Sequence, residues 1–114
     1  MIKKINLSSL YKKIFILALF FAVSLIIFFN GVEMHERVHQ IIFKDYGIES
    51  TIHVTLNKGY TLVENRTQYE EQCTENCILA HHFNEVVGYN LDYIYGMIFL
   101  AILIYILIWR PRED

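Results

Sequence analysis

The chain has 114 residues, a length that fits a single domain. Hydrophobic residues make up 54% of it, which exceeds the share found in soluble proteins, roughly 45–50%. The net charge is −2 and acidic residues dominate the middle of the chain, so we expect no nucleic-acid partner.

Two uncharged apolar segments stand near the two ends of the chain. The first covers residues 14–29 (IFILALFFAVSLIIFF) and the second covers residues 93–109 (YIYGMIFLAILIYILIW). Both approach the roughly 17–25 residues that cross a bilayer as a helix. The alternative for the first segment, a cleaved signal peptide, lacks a small-x-small cleavage site. We therefore predict transmembrane helices at 14–30 and 93–109.

Charged residues flank these segments asymmetrically. Four lysines precede the first segment and two arginines follow the second, whereas residues 30–92 carry ten acidic residues against four basic ones. Short basic flanks stay in the cytoplasm. The sequence therefore predicts cytoplasmic tails at 1–13 and 110–114 and an extracytoplasmic insert at 31–92. Such a chain would be a two-span protein of the cell membrane, in contact with membrane lipid.

The insert is expected to contain two helical segments. Apolar residues recur at helical spacing between residues 30 and 46, and Gly47 supplies a stop. This helix would continue the first span, with a bend near Asn30. A later helix is predicted at 74–89, with Thr74 as its cap.

Between these helices the sequence predicts a β-hairpin. Residues 51–56 alternate apolar and polar side chains, the turn residues Asn57-Lys58-Gly59 follow, and a second strand fits residues 60–64. The predicted fold is mainly α with a small β-hairpin. Its two transmembrane helices flank an extracytoplasmic α+β insert.

Cys73 and Cys77 are the two cysteines of the chain and lie in the insert. Two cysteines outside the cytoplasm favour a disulfide, and this spacing can reach bonding distance at a loose helix start. Ligation of a soft metal together with His81 or His82 is the competing interpretation. We prefer the disulfide, which would hold the start of the helix at 74–89.

The insert also holds all five histidines, two of them in the motif His35-Glu36-Arg37-Val38-His39. Positions i and i+4 lie on one face of a helix, so both imidazoles can reach one metal ion. The glutamate beside that face can take a proton from a metal-bound water. The simpler interpretation is a pair of solvated histidines on an exposed juxtamembrane helix.

A catalytic zinc site needs three protein ligands and an open position, and a later cluster offers the third. His81-His82-Phe83-Asn84-Glu85 places Glu85 four residues after the first histidine, on a neighbouring helical position. HExxH followed by a helix bearing Asn-Glu resembles the zincin metallopeptidases, in particular the glutamate-zincin (gluzincin) branch. The resemblance implies Zn²⁺ as cofactor, with His35, His39 and Glu85 as ligands and Glu36 as general base.

A second family offers a different third ligand. Leu91-Asp92-Tyr93 is similar to the Leu-Asp-Gly element of the site-2 type of intramembrane metalloproteases, which would make Asp92 the ligand. His81 and His82 are further alternatives. We rank Glu85 above Asp92 because Glu85 has histidine neighbours able to join the metal or to stabilise an oxyanion. His82 or Tyr89 could donate that oxyanion hydrogen bond.

These features predict a membrane-bound, zinc-dependent, metallopeptidase-like protein that acts on a peptide or protein substrate near the outer membrane face. A non-catalytic metal-binding membrane protein is one alternative. The other is a small accessory subunit of a larger membrane complex, and a homo-oligomer is also compatible with the sequence. An insert of 62 residues is small for a deep cleft, which fits these alternatives.

Overall fold

The computed structural model describes residues 7–56 and 58–109 of the chain. Its elements are, in chain order, α1 (Leu7–Asp45), β1 (Ser50–Val54), β2 (Gly59–Val63), α2 (Arg66–Gln72) and α3 (Glu75–Ile108). The predicted fold class is confirmed, because the described chain is mainly helical with one small antiparallel hairpin. Two of its helices, α1 and α3, are long and apolar enough to cross a membrane.

The first apolar segment and the HExxH segment form one helix, α1. Helical structure continues through Asn30 and Gly31, where neither proline nor an inserted side chain interrupts the hydrogen-bond ladder. At 1.5 Å per residue its 39 residues span about 58 Å. The helix ends at Asp45, and the predicted stop Gly47 follows in the turn, with a φ of +73°, a left-handed conformation that glycine adopts readily.

The second long helix, α3, likewise joins two predicted elements. The predicted helix at 74–89 and the second apolar segment are continuous from Glu75 to Ile108, since the residues between them include no helix breaker. Thr74 occupies the N-cap position as predicted, but its side chain makes no capping hydrogen bond.

The short helix α2 was not predicted. Its sequence, RTQYEEQ, has no apolar stripe that would reveal a helix. Asn65 begins it, because the Asn65 side chain accepts a hydrogen bond from the backbone N–H of Gln68. The element brings the chain from the hairpin to Cys73.

The predicted hairpin is present, with each strand shifted by about one residue from the predicted bounds. β1 and β2 pair with Ile52 opposite Thr61 and Val54 opposite Gly59. Its inner face lies along α1. Gln40 donates a hydrogen bond to the Ser50 carbonyl near the base of the hairpin.

Gly59, at the other end of the hairpin, lies against α1 at a point closer to the apolar segment than Gln40. A Cβ added there would stand 2.5 Å from Cγ1 of Val32, so this approach requires glycine. The hairpin therefore runs along α1 towards the apolar segment.

A small core lies at the far end of the insert, where α1, α2 and α3 meet. It consists of Phe43, Ile48, Cys73 and Cys77, and Cys77 is fully buried. The predicted disulfide between Cys73 and Cys77 is present. It connects the end of α2 to the first turn of α3.

In the apolar segments α1 and α3 pack directly on each other. The rings of Phe20 and Phe99 stack with centroids 4.9 Å apart, and the Tyr95 hydroxyl donates to the Ser24 carbonyl at 2.7 Å. Side chains on the other faces stay exposed, such as Phe15 at 69%. Exposed apolar surface of this extent fits a lipid environment.

Candidate metal site

Three predicted ligands meet between α1 and α3. His39 Nε2 lies 2.9 Å from Glu85 Oε1, and His35 Nε2 lies 3.5 Å from the same oxygen. The two histidine Nε2 atoms are 3.2 Å apart. The structure thus brings together the i, i+4 histidines of α1 and the glutamate that sequence reasoning ranked first.

The size of this triangle fits a zinc ion. Two ligand atoms that each lie about 2.0 Å from a tetrahedral ion are about 3.3 Å from each other. The three observed separations, 2.9, 3.2 and 3.5 Å, bracket that value. His39 is the most enclosed member, with 12% of its side chain exposed, and Glu85 the most open, with 43%. The donors therefore form a cap that leaves one side accessible.

Gly88 explains how α3 comes close enough to complete the triangle. A Cβ at this position would stand 2.7 Å from Nδ1 of His35, so a larger residue would displace the ring. One turn away, the Asn84 side chain donates to the His35 backbone carbonyl at 3.3 Å. These two contacts fix the position of α3 along the axis of α1, and with it the level at which Glu85 faces the two histidines.

His81 lies behind His39 rather than among the three donors. The Nδ1 atoms of the two rings are 2.6 Å apart. Burial, and then the neighbouring His39 ring, lower the pKa of His81 from 6.5 to about 4. A neutral His81 can accept a hydrogen bond from His39 Nδ1–H, and in that tautomer the lone pair of His39 Nε2 would be available to a metal ion. Such an outer partner orients a metal-binding histidine.

Glu36, the predicted general base, is buried, with 8% of its surface exposed. The Thr61 hydroxyl on β2 lies 2.8 Å from Glu36 Oε2 and 3.0 Å from the Glu36 carbonyl oxygen. Within the described part of the chain, Glu36 Oε1 accepts no hydrogen bond. One oxygen is thus held by the hairpin and the other can accept a proton.

An open cleft of about 420 Å³ connects these groups. Its floor is α1, one wall is β2 and the opposite wall is α3. Its volume lies within the range of small-ligand sites, about 300–1,000 Å³. The residues that line it are Glu36, His39, Phe43, Gly59, Tyr60, Thr61, Tyr69, Ile78, His81, His82 and Glu85.

The remaining predicted site residues fall in different places. His82 is exposed and lines the cleft, where it could face a bound ligand. Tyr89 is 72% exposed and lies outside the cleft lining. Asp92 is exposed and lies seven residues beyond Glu85 on α3, about 10 Å along the helix axis.

A second group of donors adjoins the first. Cys73, Cys77 and His81 offer atoms that lie within 4.8 Å of one another. The two sulfurs are bonded to each other, so they are not available as thiolate ligands in this structure. His81 therefore connects the core disulfide to the histidine that faces Glu85.

Sequence reasoning missed two side chains of the site. Thr61 holds Glu36, but a threonine on a strand is common and nothing in its sequence context marks it. Tyr69 lines the cleft from α2, an element that was itself not predicted. Gly88 was not predicted as part of the site, because its role depends on the close approach of α3 to the His35 ring.

Comparisons with protein families, curated proteins and solved structures found no match to this chain.

Proposed function

We propose that this chain is a membrane-bound, zinc-dependent hydrolase that cleaves peptide bonds next to the membrane surface. The observation that carries the proposal is the triangle of His35 Nε2, His39 Nε2 and Glu85 Oε1, whose three sides lie between 2.9 and 3.5 Å. Zinc bound there would polarise a carbonyl group and lower the pKa of a water molecule.

The protein's own residues would then supply proton transfer. Glu36 lies beside His35 in sequence and lines the same cleft as His39 and Glu85. Its Oε2 is held by Thr61, so Oε1 is the atom that accepts the proton of an attacking water. Burial of the carboxyl group limits competing contact with bulk solvent. This geometry supports Glu36 as a general base.

The free edge of β2 supports a peptide as the substrate. Hydrogen bonds from Thr55 N–H to Lys58 O and from Glu64 N–H to Glu49 O define the pairs that bond across the hairpin. Because such pairs alternate along an antiparallel ladder, Gly59 and Thr61 direct their backbone groups to the opposite edge. That edge borders the cleft, where an extended peptide can add as a further strand.

Zinc content tests the site directly. The full chain, purified in detergent, is expected to carry about one zinc per molecule. His39→Ala and Glu85→Ala should each reduce zinc to background, because two ligands alone leave the ion weakly held. His53→Ala is the matched control, since this exposed strand histidine stacks on Tyr60 away from the donors. Full zinc in both site variants would overturn the proposal.

Turnover separates a hydrolase from a metal-binding protein without activity. Fluorophore-labelled, unfolded casein serves as the probe, with the full chain reconstituted in vesicles. Glu36→Gln should retain zinc while cleavage falls about 10²-fold or more, the typical contribution of a general base. Zinc retention without any cleavage by the wild-type chain would favour a non-catalytic metal-binding role.

A further inference from the structure

The end of the hairpin nearest the apolar segment carries an unusual side chain. Leu56 is 88% exposed, more than any other large apolar residue in the described part of the chain. Val54, which precedes it on the inner face of β1, is 39% exposed. An exposed leucine at a turn loses hydrophobic stabilisation unless something covers it.

Three contacts along α1 show where this turn lies. From the base of the hairpin to its end, Ser50 bonds to Gln40, Thr61 bonds to Glu36, and Gly59 contacts Val32. These partners on α1 descend by four residues at each step, so the hairpin axis is nearly parallel to the helix. The end of the hairpin therefore points towards the apolar segment.

Distances per residue give the level that the turn reaches. Leu56 lies two residues beyond Val54, the partner of Gly59, and two extended residues cover about 6–7 Å, which equals about four residues along a helix. Counting down α1 from Val32, the turn reaches about the level of Phe28. This level lies inside the uncharged segment 14–29. The nearest charged residue towards the insert is Glu33.

We propose that the hairpin end, defined by Leu56 and Lys58, is a membrane contact that inserts Leu56 among lipid chains at the bilayer surface. The same lipid that surrounds the exposed apolar side chains of α1 would cover Leu56, so the two surfaces are continuous. Lys58, whose Nζ lies 5.6 Å from the Tyr60 ring centroid, can lay its methylene chain along apolar surface and keep its ammonium group among the lipid phosphates. An apolar residue beside a lysine is typical of an interfacial anchor.

The membrane contact also affects the cleft. β2 forms one wall of the cleft and is one of the two strands of the anchored hairpin. A bilayer that holds Leu56 holds Gly59 and Thr61 at a fixed height above the lipid. The inference rests on α1 and α3 crossing a membrane and does not depend on zinc or on catalysis.

Fluorescence quenching by lipid tests the contact. Trp109 is the single tryptophan, so Trp109→Phe removes the background and Leu56→Trp adds one reporter. The full chain is reconstituted in phosphatidylcholine–phosphatidylglycerol vesicles whose acyl chains carry bromine, a short-range quencher. Quenching of the reporter at 56 is expected to be several times stronger than in the matched control Leu62→Trp.

Leu62 is a suitable control because it is 53% exposed on the same hairpin but opposite Thr51, closer to the base. Both positions are exposed, so either tryptophan fits without repacking. Equal, weak quenching at 56 and 62 would overturn the membrane contact. Zinc-free protein is used throughout, so loss of the proposed metal site leaves this result unchanged.

Discussion

The apolar half of the molecule (residues 7–30 and 93–109) and the polar half (residues 31–92) share two helices but hold them together differently. In the apolar half, α1 and α3 meet through stacked rings and two bonds from side chains to backbone carbonyls. In the polar half they are linked by His35, His39 and Glu85, and by the Asn84 amide.

The glycines show the same difference. A Cβ at Gly88 or Gly59, in the polar half, would stand less than 3 Å from a neighbouring side chain, whereas a Cβ at Gly96, in the apolar half, would meet nothing within 4 Å. Close approach is thus required where the site is formed and not where the helices pass through the apolar half. We therefore expect contacts in the polar half, more than those in the apolar half, to set the position of α3 along α1.

The largest effect is expected from Gly88→Ala. The added methyl group would push the His35 ring out of the donor triangle, and zinc affinity should fall on the order of 100-fold. Gly96→Ala is the matched control on the same helix, because its added methyl group meets open space. Competition for zinc with a chelator measures both variants. Equal affinity in the two would contradict the difference between the halves.

Next in size is the loss of the disulfide. The disulfide closes a loop of five residues, which stabilises the folded chain by about 2 kcal/mol. Cys73→Ala combined with Cys77→Ala should therefore lower the free energy of unfolding by about that amount. Chemical denaturation of the full chain in detergent measures the free energy of unfolding. Reductant should weaken the wild-type protein by a similar amount and leave the double variant unchanged. A double variant as stable as wild type would show that the core does not need the bond.

A smaller effect is expected from His81→Phe. This change keeps an aromatic ring behind His39 but removes the nitrogen that orients it, so zinc affinity should fall about tenfold. His82→Phe is the control, since the His82 side chain is exposed and the ring that contacts His39 Nδ1 is that of His81. Because His81 is not one of the three donors, zinc stoichiometry at saturating metal should stay the same. A fall in stoichiometry would instead make His81 a ligand.

Much of the fold could be predicted from local sequence patterns. The apolar segments, the alternation in the hairpin and the stop at Gly47 each depend on neighbouring residues, and all three were found. The predicted continuation of the first apolar segment into the helix at 30–46 was also found. The helices predicted at 74–89 and 93–109 are one continuous helix, because a change from polar to apolar residues does not by itself end a helix. α2 lacked any apolar periodicity and was missed.

The site was predictable to the extent that it lies on one helix. The i, i+4 spacing of His35 and His39 fixes their common face, whereas the choice between Glu85 and Asp92 depends on how far α3 slides along α1. That height is set by the Gly88 contact and by the Asn84 bond, which no short-range pattern reveals. The contact between His39 and His81 depends on the same packing.

The smallest effect should come from the apolar half, and Tyr95→Phe tests it. The change removes the hydroxyl that donates to the Ser24 carbonyl and should cost about 0.6 kcal/mol, the average for a hydrogen bond between helices in a membrane. Tyr105→Phe, at a 63% exposed position on the same helix, should cost less. Denaturation of both variants in the detergent used for the disulfide variant makes the values comparable. If Tyr95→Phe weakens the protein as much as loss of the disulfide does, the spans are held as specifically as the polar half. The helix register that brings Glu85 to the histidines would then be set from within the apolar half.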